Sequence, residues 1–175
     1  METRYQIIRL LADGRFHSGE ELARVFGISR AAVWKHLACI RQKMGLQVFA
    51  VRGKGYRLVE PLELLEKKRI HAELQPTSRS LLSELEVLGS TDSTNSHLMQ
   101  RLKQGLSSGH ACLAEQQLAG RGRRGRTWVS PFGNNIYLSI HWRYMLALAD
   151  LGGLSLAAGI AVVKSLEQLG AKDIG

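Results

Sequence analysis

The chain has 175 residues and a formal net charge of +9, and 45% of its residues are hydrophobic. This length accommodates one large domain or two small ones, and the hydrophobic share excludes wholesale disorder. The sequence contains no run of 18 unbroken apolar residues that would predict a membrane span. Cys39 and Cys112 match no metal or disulfide spacing, and this use of cysteine favours a reducing, cytoplasmic setting.

The positive charge is concentrated at the front of the chain. Residues 1–60 hold 11 Lys and Arg against 5 Asp and Glu, whereas residues 61–175 hold 13 against 10. This asymmetry favours a polyanionic partner for the front part, nucleic acid above all. A basic, solvated surface is the alternative that charge alone leaves open.

Three short helices are predicted within the first 43 residues. Apolar residues recur at helical spacing over 5–11, and Ser18 precedes Glu21 by three, which is the capping-box pattern of a second helix. After a tight glycine turn, Ser29 is a good N-cap for a third helix over 30–43. Two short helices joined in this way predict a helix-turn-helix.

Two β-prone runs, 47–51 and 56–59, flank the loop Arg52-Gly53-Lys54-Gly55 and predict a hairpin, the "wing" of a winged helix-turn-helix. We expect the third helix to enter the DNA major groove and the wing to follow the phosphate backbone. A protein-interaction module of the same shape is the alternative. The candidate DNA contacts are Ser29, Arg30, Trp34, Lys35, His36 and Arg41 on the helix and Arg52, Lys54 and Arg57 on the wing.

A connector is predicted over residues 61–80. Residues 62–73 are helix-like and rich in Glu and Lys, whereas residues 75–80 are polar and loop-like. The predicted organisation is a winged helix-turn-helix over 1–60, the connector, and a second domain over 81–175.

The second domain begins with a strand over 85–88, a turn over 89–95 that is crowded with hydroxyls, and a helix over 97–104. Strand-to-helix turns point backbone N–H groups and hydroxyls into a crevice where ligands often bind. In the simpler interpretation, Ser93 or Thr94 only caps the helix.

A further strand over 111–117 runs into Gly120-Arg121-Gly122-Arg123-Arg124-Gly125-Arg126. The glycines let the backbone approach a ligand closely, and the arginines suit a phosphate or a carboxylate. Such a run can also be a disordered nucleic-acid tail, but its place between two apolar strands favours a loop that closes over an anionic ligand. The run is not a Walker A loop, because no Gly-Lys-Ser/Thr ends it. It is not a Rossmann fingerprint either, because no helix is predicted after it.

Residues 135–142 alternate in polarity, which predicts a strand with one buried face, and residues 151–169 form a long, mostly apolar helix. Along the strand, Ile136, Leu138, Ile140 and Trp142 point one way and Tyr137, Ser139 and His141 the other.

With these motifs the chain closely resembles the bacterial family of bifunctional biotin–protein ligases and biotin operon repressors. The segments that carry the resemblance are Phe16-His17-Ser18-Gly19-Glu20, Ser29-Arg30-Ala31-Ala32, Gly53-Lys54-Gly55-Tyr56, Asp92-Ser93-Thr94-Asn95, residues 119–126 with Trp128, and Ser130-Pro131-Phe132-Gly133.

The resemblance implies an α+β fold, in which a winged helix-turn-helix precedes part of a mixed-sheet, class II synthetase-like biotin ligase catalytic domain. It implies that biotin and ATP, with Mg²⁺, form biotinyl-5′-adenylate, and that a lysine of the biotin carboxyl carrier protein of acetyl-CoA carboxylase then takes the biotin. It also implies a homodimer in the adenylate-bound form, which represses the biotin operon by binding operator DNA.

By motif match, the resemblance assigns the pocket residues. Ser93, Thr94, Asn95 and Gln117 correspond to the biotin pocket; Arg121, Gly122 and Arg123 to the loop that folds over biotin and the adenylate; and Trp128 to a neighbour of the adenine. Arg123 is the expected catalytic residue, because a cation there stabilises the adenylate.

In the family, the catalytic domain continues with a Lys-Trp-Pro-Asn-Asp-like segment, so we expect its main lysine beyond residue 175 and a chain truncated within the catalytic domain. Two alternatives follow: a repressor that senses biotin or its adenylate without completing the ligation, and a non-functional remnant.

Overall fold

The computed structural model describes residues 2–174, and the chain divides into two compact units between Trp142 and Arg143. The helices are α1 (Glu2–Leu11), α2 (Gly19–Phe26), α3 (Arg30–Met44), α4 (Lys67–Glu73), α5 (Pro76–Leu81), α6 (Thr94–Leu102) and α7 (Leu154–Gln168). The strands are β1 (Val48–Val51), β2 (Gly55–Leu58), β3 (Glu84–Leu88), β4 (His110–Ala114) and β5 (Tyr137–His141).

The helix-turn-helix forms through the caps that the sequence predicts. The N–H of Glu21 donates to Ser18 Oγ at 3.0 Å, and the N–H of Ser18 donates to Glu21 Oε2 at 3.3 Å, which completes the capping box of α2. Gly27 ends α2 in the left-handed conformation, and Ser29 Oγ accepts from the N–H of Ala32 to open α3. Local capping therefore sets the tight turn between the two helices.

The wing is an antiparallel hairpin of β1 and β2 that is fastened to the turn before α2. His17 and Tyr56 exchange two backbone hydrogen bonds of 2.8 and 2.9 Å. Gly55 makes this approach possible, because a Cβ there would lie 2.1 Å from the carbonyl oxygen of His17. The hairpin is thus held against the helices by backbone pairing as well as by side-chain packing.

We call the winged helix-turn-helix, α1 to β2, the head. Its hydrophobic core includes one residue from far along the chain. Phe132 is 1% exposed and lies among the buried side chains of α1, α2, α3 and the wing. It meets the ring of Tyr5 edge-on, with centroids 6.4 Å apart. The other buried members of this core are Ile7, Ile8, Leu11, Leu22, Val33, Leu37, Ile40, Val48 and Leu58.

Residues 84–141, in the first unit, contain a three-stranded mixed sheet in the order β3-β4-β5. Strand β3 is parallel to β4, and β4 is antiparallel to β5. All five residues of the central strand β4 are buried. This arrangement confirms the predicted α+β class with a mixed sheet.

The prediction for the last strand was right in its alternation, but the apolar side is not the buried one. Ile136 and Ile140 are 75% and 56% exposed, whereas Tyr137 is 5% exposed. The more buried face carries Ser139, whose hydroxyl bonds Thr94 at the start of α6. A polar face is covered here because α6 packs on it and supplies hydrogen-bond partners.

The loop predicted over residues 75–80 is wrong, because α5 forms there. Pro76 occupies the first turn, where a missing N–H costs no helical hydrogen bond. Arg79 then donates from Nη2 to the carbonyl oxygens of Ala72 and Leu74, at 3.0 and 3.1 Å.

The helix predicted over residues 62–73 begins only at Lys67. Before it, the N–H of Leu65 donates to the carboxylate of Glu115 at 2.6 Å, which holds the chain extended. Glu115 is 1% exposed, and burial raises its pKa although the hydrogen bond from Leu65 opposes the shift. A buried carboxyl at the end of β4 thus anchors the connector.

In the second unit, residues 148–153 form a 3₁₀ turn, and the α-helix predicted from residue 151 begins at Leu154. Residues 149–168 have a mean hydropathy of 1.4, so this helical stretch is long and apolar enough to cross a membrane by length and composition alone. This property is weak support for a membrane span, since core helices of soluble proteins share it.

The head contains a buried histidine between two carboxylates, and this predicts a pH-dependent stability. Burial alone would lower the pKa of His17, but hydrogen bonds of 3.1 Å to Glu21 and to Asp13 outweigh it, and the pKa is raised above its usual 6.5. The stabilisation by the charged ring is therefore fully present below about pH 6.5 and is lost as the pH rises through the raised pKa.

Urea unfolding of wild type and His17→Gln between about pH 6 and 9 measures this effect. The wild type should lose free energy of unfolding faster with rising pH than the variant. Parallel pH profiles would contradict the ion-pair account.

Candidate functional site

The strand-to-helix turn after β3 brings hydroxyl groups to the start of α6. Ser93 is the N-cap, and its Oγ accepts from the N–H of Ser96 at 3.4 Å. Thr94 is 3% exposed, so its hydroxyl needs partners inside the protein. The simpler interpretation of Ser93 as a cap is correct, but it does not account for Thr94.

Gln117 supplies those partners from the chain that follows β4. Its Oε1 accepts from the backbone N–H of Thr94 at 2.9 Å and from the Thr94 hydroxyl at 3.2 Å. The same hydroxyl lies 2.8 Å from Ser139 Oγ on β5. Three segments that are remote in sequence therefore meet through one small polar network.

The main chain beside this network is fixed by further pairing. The N–H groups of Leu118 and Ala119 donate to the carbonyls of Thr91 and Asp92, both at 2.8 Å. Across the arginine-glycine loop, Ser130 Oγ accepts from the N–H of Gln117 at 2.7 Å. The loop between Gln117 and Ser130 therefore projects from a closed stem.

Within the loop, the chain folds back on itself. Residues Arg123–Gly125 form a single 3₁₀ turn, and Arg124 has a φ of 57°, in the left-handed region that non-glycine residues rarely adopt. Gly122 lies so close to the chain beyond the turn that a Cβ would be 2.4 Å from the carbonyl oxygen of Arg126. The loop is compact, and its four arginines are exposed.

The indole of Trp128 lies over the first glycine of the loop. A Cβ on Gly120 would be 2.2 Å from Trp128 Cδ1, so only glycine allows this contact. The indole also meets the ring of Tyr137, with centroids 6.4 Å apart.

These segments enclose a cavity of about 340 Å³, here called the ligand cavity, which is at the lower end of the usual range for small-molecule sites. A neighbouring cavity of about 400 Å³ shares Trp128, Ile136 and Tyr137 with it. The ligand cavity is lined by Ser93, Thr94, Asn95, Ser96, Gln117, Arg121, Trp128, Ile136, Tyr137, Leu138 and Ser139.

A charged cluster supports α6 from the sheet. Glu86 on β3 bonds His97 on α6 at 2.9 Å and His110 on β4 at 2.5 Å. Burial alone would raise the pKa of Glu86, but the hydrogen bonds from both histidines outweigh it and lower that pKa. The helix that carries Ser93 and Thr94 is thereby tied to two strands.

The head presents cations on both predicted contact elements. On α3, Arg30 and Lys35 are exposed and Trp34 is 61% exposed; on the hairpin, Arg52 and Lys54 are exposed. Arg30 and Arg52 line one groove of about 470 Å³ between the helices and the wing. The groove therefore carries positive charge from both elements, which suits a polyanion.

Two predicted DNA contacts have structural roles instead of free side chains. Arg41 donates from Nη2 to the carbonyl oxygen of Val48 at 2.8 Å and so holds the start of the hairpin. The guanidinium of Arg57 lies over the rings of Phe16 and Phe49, 5.1 and 5.4 Å from their centroids.

His36 is half-buried on α3 and is not the cation that a phosphate contact would favour. Burial lowers its pKa, and the nearby charge of Arg4 lowers it further. Its imidazole is therefore mainly neutral near pH 7.

Comparison with known proteins agrees with both parts of this description. A model of an HTH domain matches residues 3–57, and a model of the biotin/lipoate A/B protein ligase family matches residues 87–174, which is half of the chain. The chain belongs to the biotin/lipoate A/B protein ligase family. Its N-terminal part is a helix-turn-helix.

Similar proteins include bifunctional ligase/repressors and a ligase without the repressor name. The bifunctional ligase/repressor BirA of Salmonella typhimurium is 49% identical over 168 residues, 96% of this chain and 50% of the relative. The protein of that name from Bacillus subtilis is 36% identical to this chain. The match covers 90% of this chain and 47% of the relative's length. The biotin–[acetyl-CoA-carboxylase] ligase of Mycobacterium tuberculosis is 41% identical over 49% of this chain and 33% of its own. The chain spans about half the length of the bifunctional relatives.

Six of the eight residues that the resemblance assigned line the ligand cavity, whereas Gly122 and Arg123 do not belong to its lining. Sequence reasoning missed Ser139, Tyr137 and the apolar residues beside them. Their signal was the alternation of the last strand, but period alone does not say which face a helix will cover.

Within residues 2–174, no three or more His, Cys, Asp or Glu side chains are grouped to hold a metal ion.

The contact between Gly120 and Trp128 predicts that Gly120→Ala displaces the indole. Among the three tryptophans, Trp34 and Trp142 are replaced by Phe, so that Trp128 alone reports. The emission of Trp128 should shift to the red as the ring moves into water. Gly159→Ala, where nothing lies within 4 Å of the added Cβ, is the matched control. An unchanged spectrum would show that the loop accommodates the methyl group without moving Trp128.

Proposed function

We propose that the ligand cavity binds biotin, and that the chain is the ATP-dependent part of a biotin–protein ligase whose head represses the biotin synthesis genes. The observation that carries this proposal is the convergence of Ser93, Thr94, Asn95, Gln117, Arg121 and Trp128, assigned by motif from three separate segments, on one cavity. Residues joined only by sequence similarity would have no reason to share a cavity.

The chemistry of the lining suits a small acid with a polar head and an apolar chain. The hydroxyls of Thr94 and Ser139 and the amide of Gln117 are already oriented by one another, which lowers the cost of ordering them around a ligand. Ile136 and Leu138 offer apolar surface, and Arg121 offers a cation for a carboxylate.

The reaction that we propose begins with attack of a biotin carboxylate oxygen on the α-phosphorus of ATP. The bond to the bridging oxygen breaks, and pyrophosphate leaves with its electron pair. Arg121 and Arg123 neutralise charge as it develops, and the loop excludes water from the mixed anhydride. A carrier lysine amine then attacks the biotinyl carbonyl carbon, and AMP leaves.

The two cavities that share Trp128 support this arrangement, because an adenylate joins two parts of different chemistry. We assign biotin to the ligand cavity and the adenine to the neighbouring cavity, beside the indole. Mg²⁺ would accompany ATP.

The names of the relatives support a ligase with acetyl-CoA carboxylase as its target and a repressor role, whereas the homodimer and the location rest on the family resemblance. We propose the biotin carboxyl carrier protein of acetyl-CoA carboxylase as the acceptor, biotin operator DNA as the ligand of the head, a homodimer in the adenylate-bound form, and a cytoplasmic location. The division into 1–60, 61–80 and 81–175 is likewise proposed as the functional organisation.

The decisive experiment incubates the chain with labelled biotin, ATP and a carrier domain, with the Salmonella typhimurium relative as a positive control. Retained adenylate together with labelled carrier supports the ligase. Retained adenylate without labelled carrier supports instead a repressor that senses biotin or its adenylate. Absence of both overturns the proposal for this chain.

For the loop, Arg121→Ala should weaken binding of a non-hydrolysable biotinyl-adenylate analogue by about tenfold or more, since one charge-assisted hydrogen bond contributes roughly 1.5–3 kcal/mol. Arg123→Ala should speed its release. Arg126→Ala removes the same charge from the loop outside the cavity lining and is the control. Equal effects of Arg121→Ala and Arg126→Ala in calorimetric titrations would indicate nonspecific electrostatics only.

For the head, Arg30→Ala with Lys35→Ala should abolish operator binding at physiological salt and leave biotin binding intact. The slope of log K against log salt should fall by about 2, one for each lost phosphate contact. Lys67→Ala with Lys68→Ala removes the same charge from exposed positions of α4 and is the control. Operator affinity that persists in the first variant refutes the role of α3.

A further inference from the structure

The ring of Tyr5, on the first helix of the head, lies against the turn that leads into the ligand cavity. A Cβ on Gly89 would be 2.6 Å from both Cγ and Cδ2 of Tyr5, so the main chain of Gly89 rests directly on the ring. Gly89 follows the last residue of β3 and stands four residues before Ser93. The head thus touches the cavity-forming turn at its origin.

The same ring meets the chain on the far side of the arginine-glycine loop. Phe132 packs against Tyr5 edge-on, with centroids 6.4 Å apart, and is buried in the head core. It stands two residues after Ser130, whose hydroxyl accepts from the N–H of Gln117 and whose carbonyl accepts from the amide of Gln116 at 3.2 Å. Tyr5 therefore contacts both the start of the cavity-forming turn, at Gly89, and the chain just beyond the loop stem, at Phe132.

The two contacted segments are also joined to each other. The N–H of Thr91 donates to the carbonyl of Gln116 at 3.1 Å, and Leu118 donates back to Thr91 at 2.8 Å. Gln117, which lines the cavity and fixes Thr94, lies between these bonds. A shift of either segment on the Tyr5 ring would move Gln117 and with it the polar end of the cavity.

We propose that Tyr5 is a positioning residue of the ligand cavity: its ring fixes the Gly89 turn and Phe132 relative to each other, so a side chain of the head determines the affinity of the cavity for its ligand. The identity of that ligand as biotin rests on the proposed function above. The positioning role itself rests on the contacts of Tyr5.

The test compares wild type, Tyr5→Ala and Tyr5→Phe, with Phe26→Ala as a control that removes an aromatic ring from the head core on α2. Hydrogen exchange is measured without ligand over 89–93, 116–119 and 130–133, and biotin affinity is measured by calorimetry. Tyr5→Ala should raise exchange in all three segments and raise the Kd for biotin by about two- to tenfold, in line with the usual strength of an aromatic pair. Tyr5→Phe should restore both, and Phe26→Ala should change neither.

Exchange that is unchanged in Tyr5→Ala, or that rises equally in Phe26→Ala, overturns the proposal, since the head would then act only through its overall stability. Failure of wild type to bind biotin overturns the proposed function instead, and the exchange data still decide the role of Tyr5.

Gly89→Ala provides a second, independent arm. In wild type the added methyl group would lie 2.6 Å from Cγ and Cδ2 of the Tyr5 ring, and both of these atoms are absent when Tyr5 is Ala. Gly89→Ala should therefore raise exchange over 89–93 strongly in the wild-type background and weakly in the Tyr5→Ala background. Additive effects of the two substitutions would overturn the direct contact.

Discussion

The side-chain amide of Gln117 ties together the three segments that form the ligand cavity. Its oxygen accepts two hydrogen bonds from Thr94, and Thr94 in turn bonds Ser139 on β5. Thr94 is almost fully buried, so loss of this acceptor would leave donors unpaired at a cost of about 1–3 kcal/mol. The start of α6, the end of β4 and the middle of β5 consequently hold their relative positions before any ligand arrives.

The head and the part of the chain with the ligand cavity follow one another in sequence, but they pack against each other through shared side chains. Phe132 follows the arginine-glycine loop, yet it is buried in the core of the helix-turn-helix. Glu115 on the ligase side anchors Leu65 of the connector by a 2.6 Å hydrogen bond. Removal of the head would expose Phe132, and removal of the connector would take away the hydrogen bond that Leu65 donates to the buried Glu115. The part of the chain that follows the connector should therefore not be treated as an independent module.

Local signals in the sequence predicted most of the head. The capping box of Ser18 and Glu21 and the N-cap Ser29 depend only on neighbouring residues, and all of them form. The arrangement of the cavity could be predicted only through family resemblance, because spacing alone gave Ser93 and Thr94 as simple caps. Contacts between separate segments had no local signal. The apolar side of β5 is the exposed one because α6 covers the other, and the guanidinium of Arg57 lies over the rings of Phe16 and Phe49.

Arg124 and Gly125 both have left-handed backbones, with φ of 57° and 73°, but only the glycine adopts this conformation without strain. An L-residue in that region costs roughly 1–2 kcal/mol, and at Arg124 this cost coincides with an exposed guanidinium. At this position, a residue without backbone strain would also lack the positive charge. An engineer who replaced Arg124 with glycine to relax the backbone would obtain a less strained loop with a weaker electrostatic reach toward phosphates.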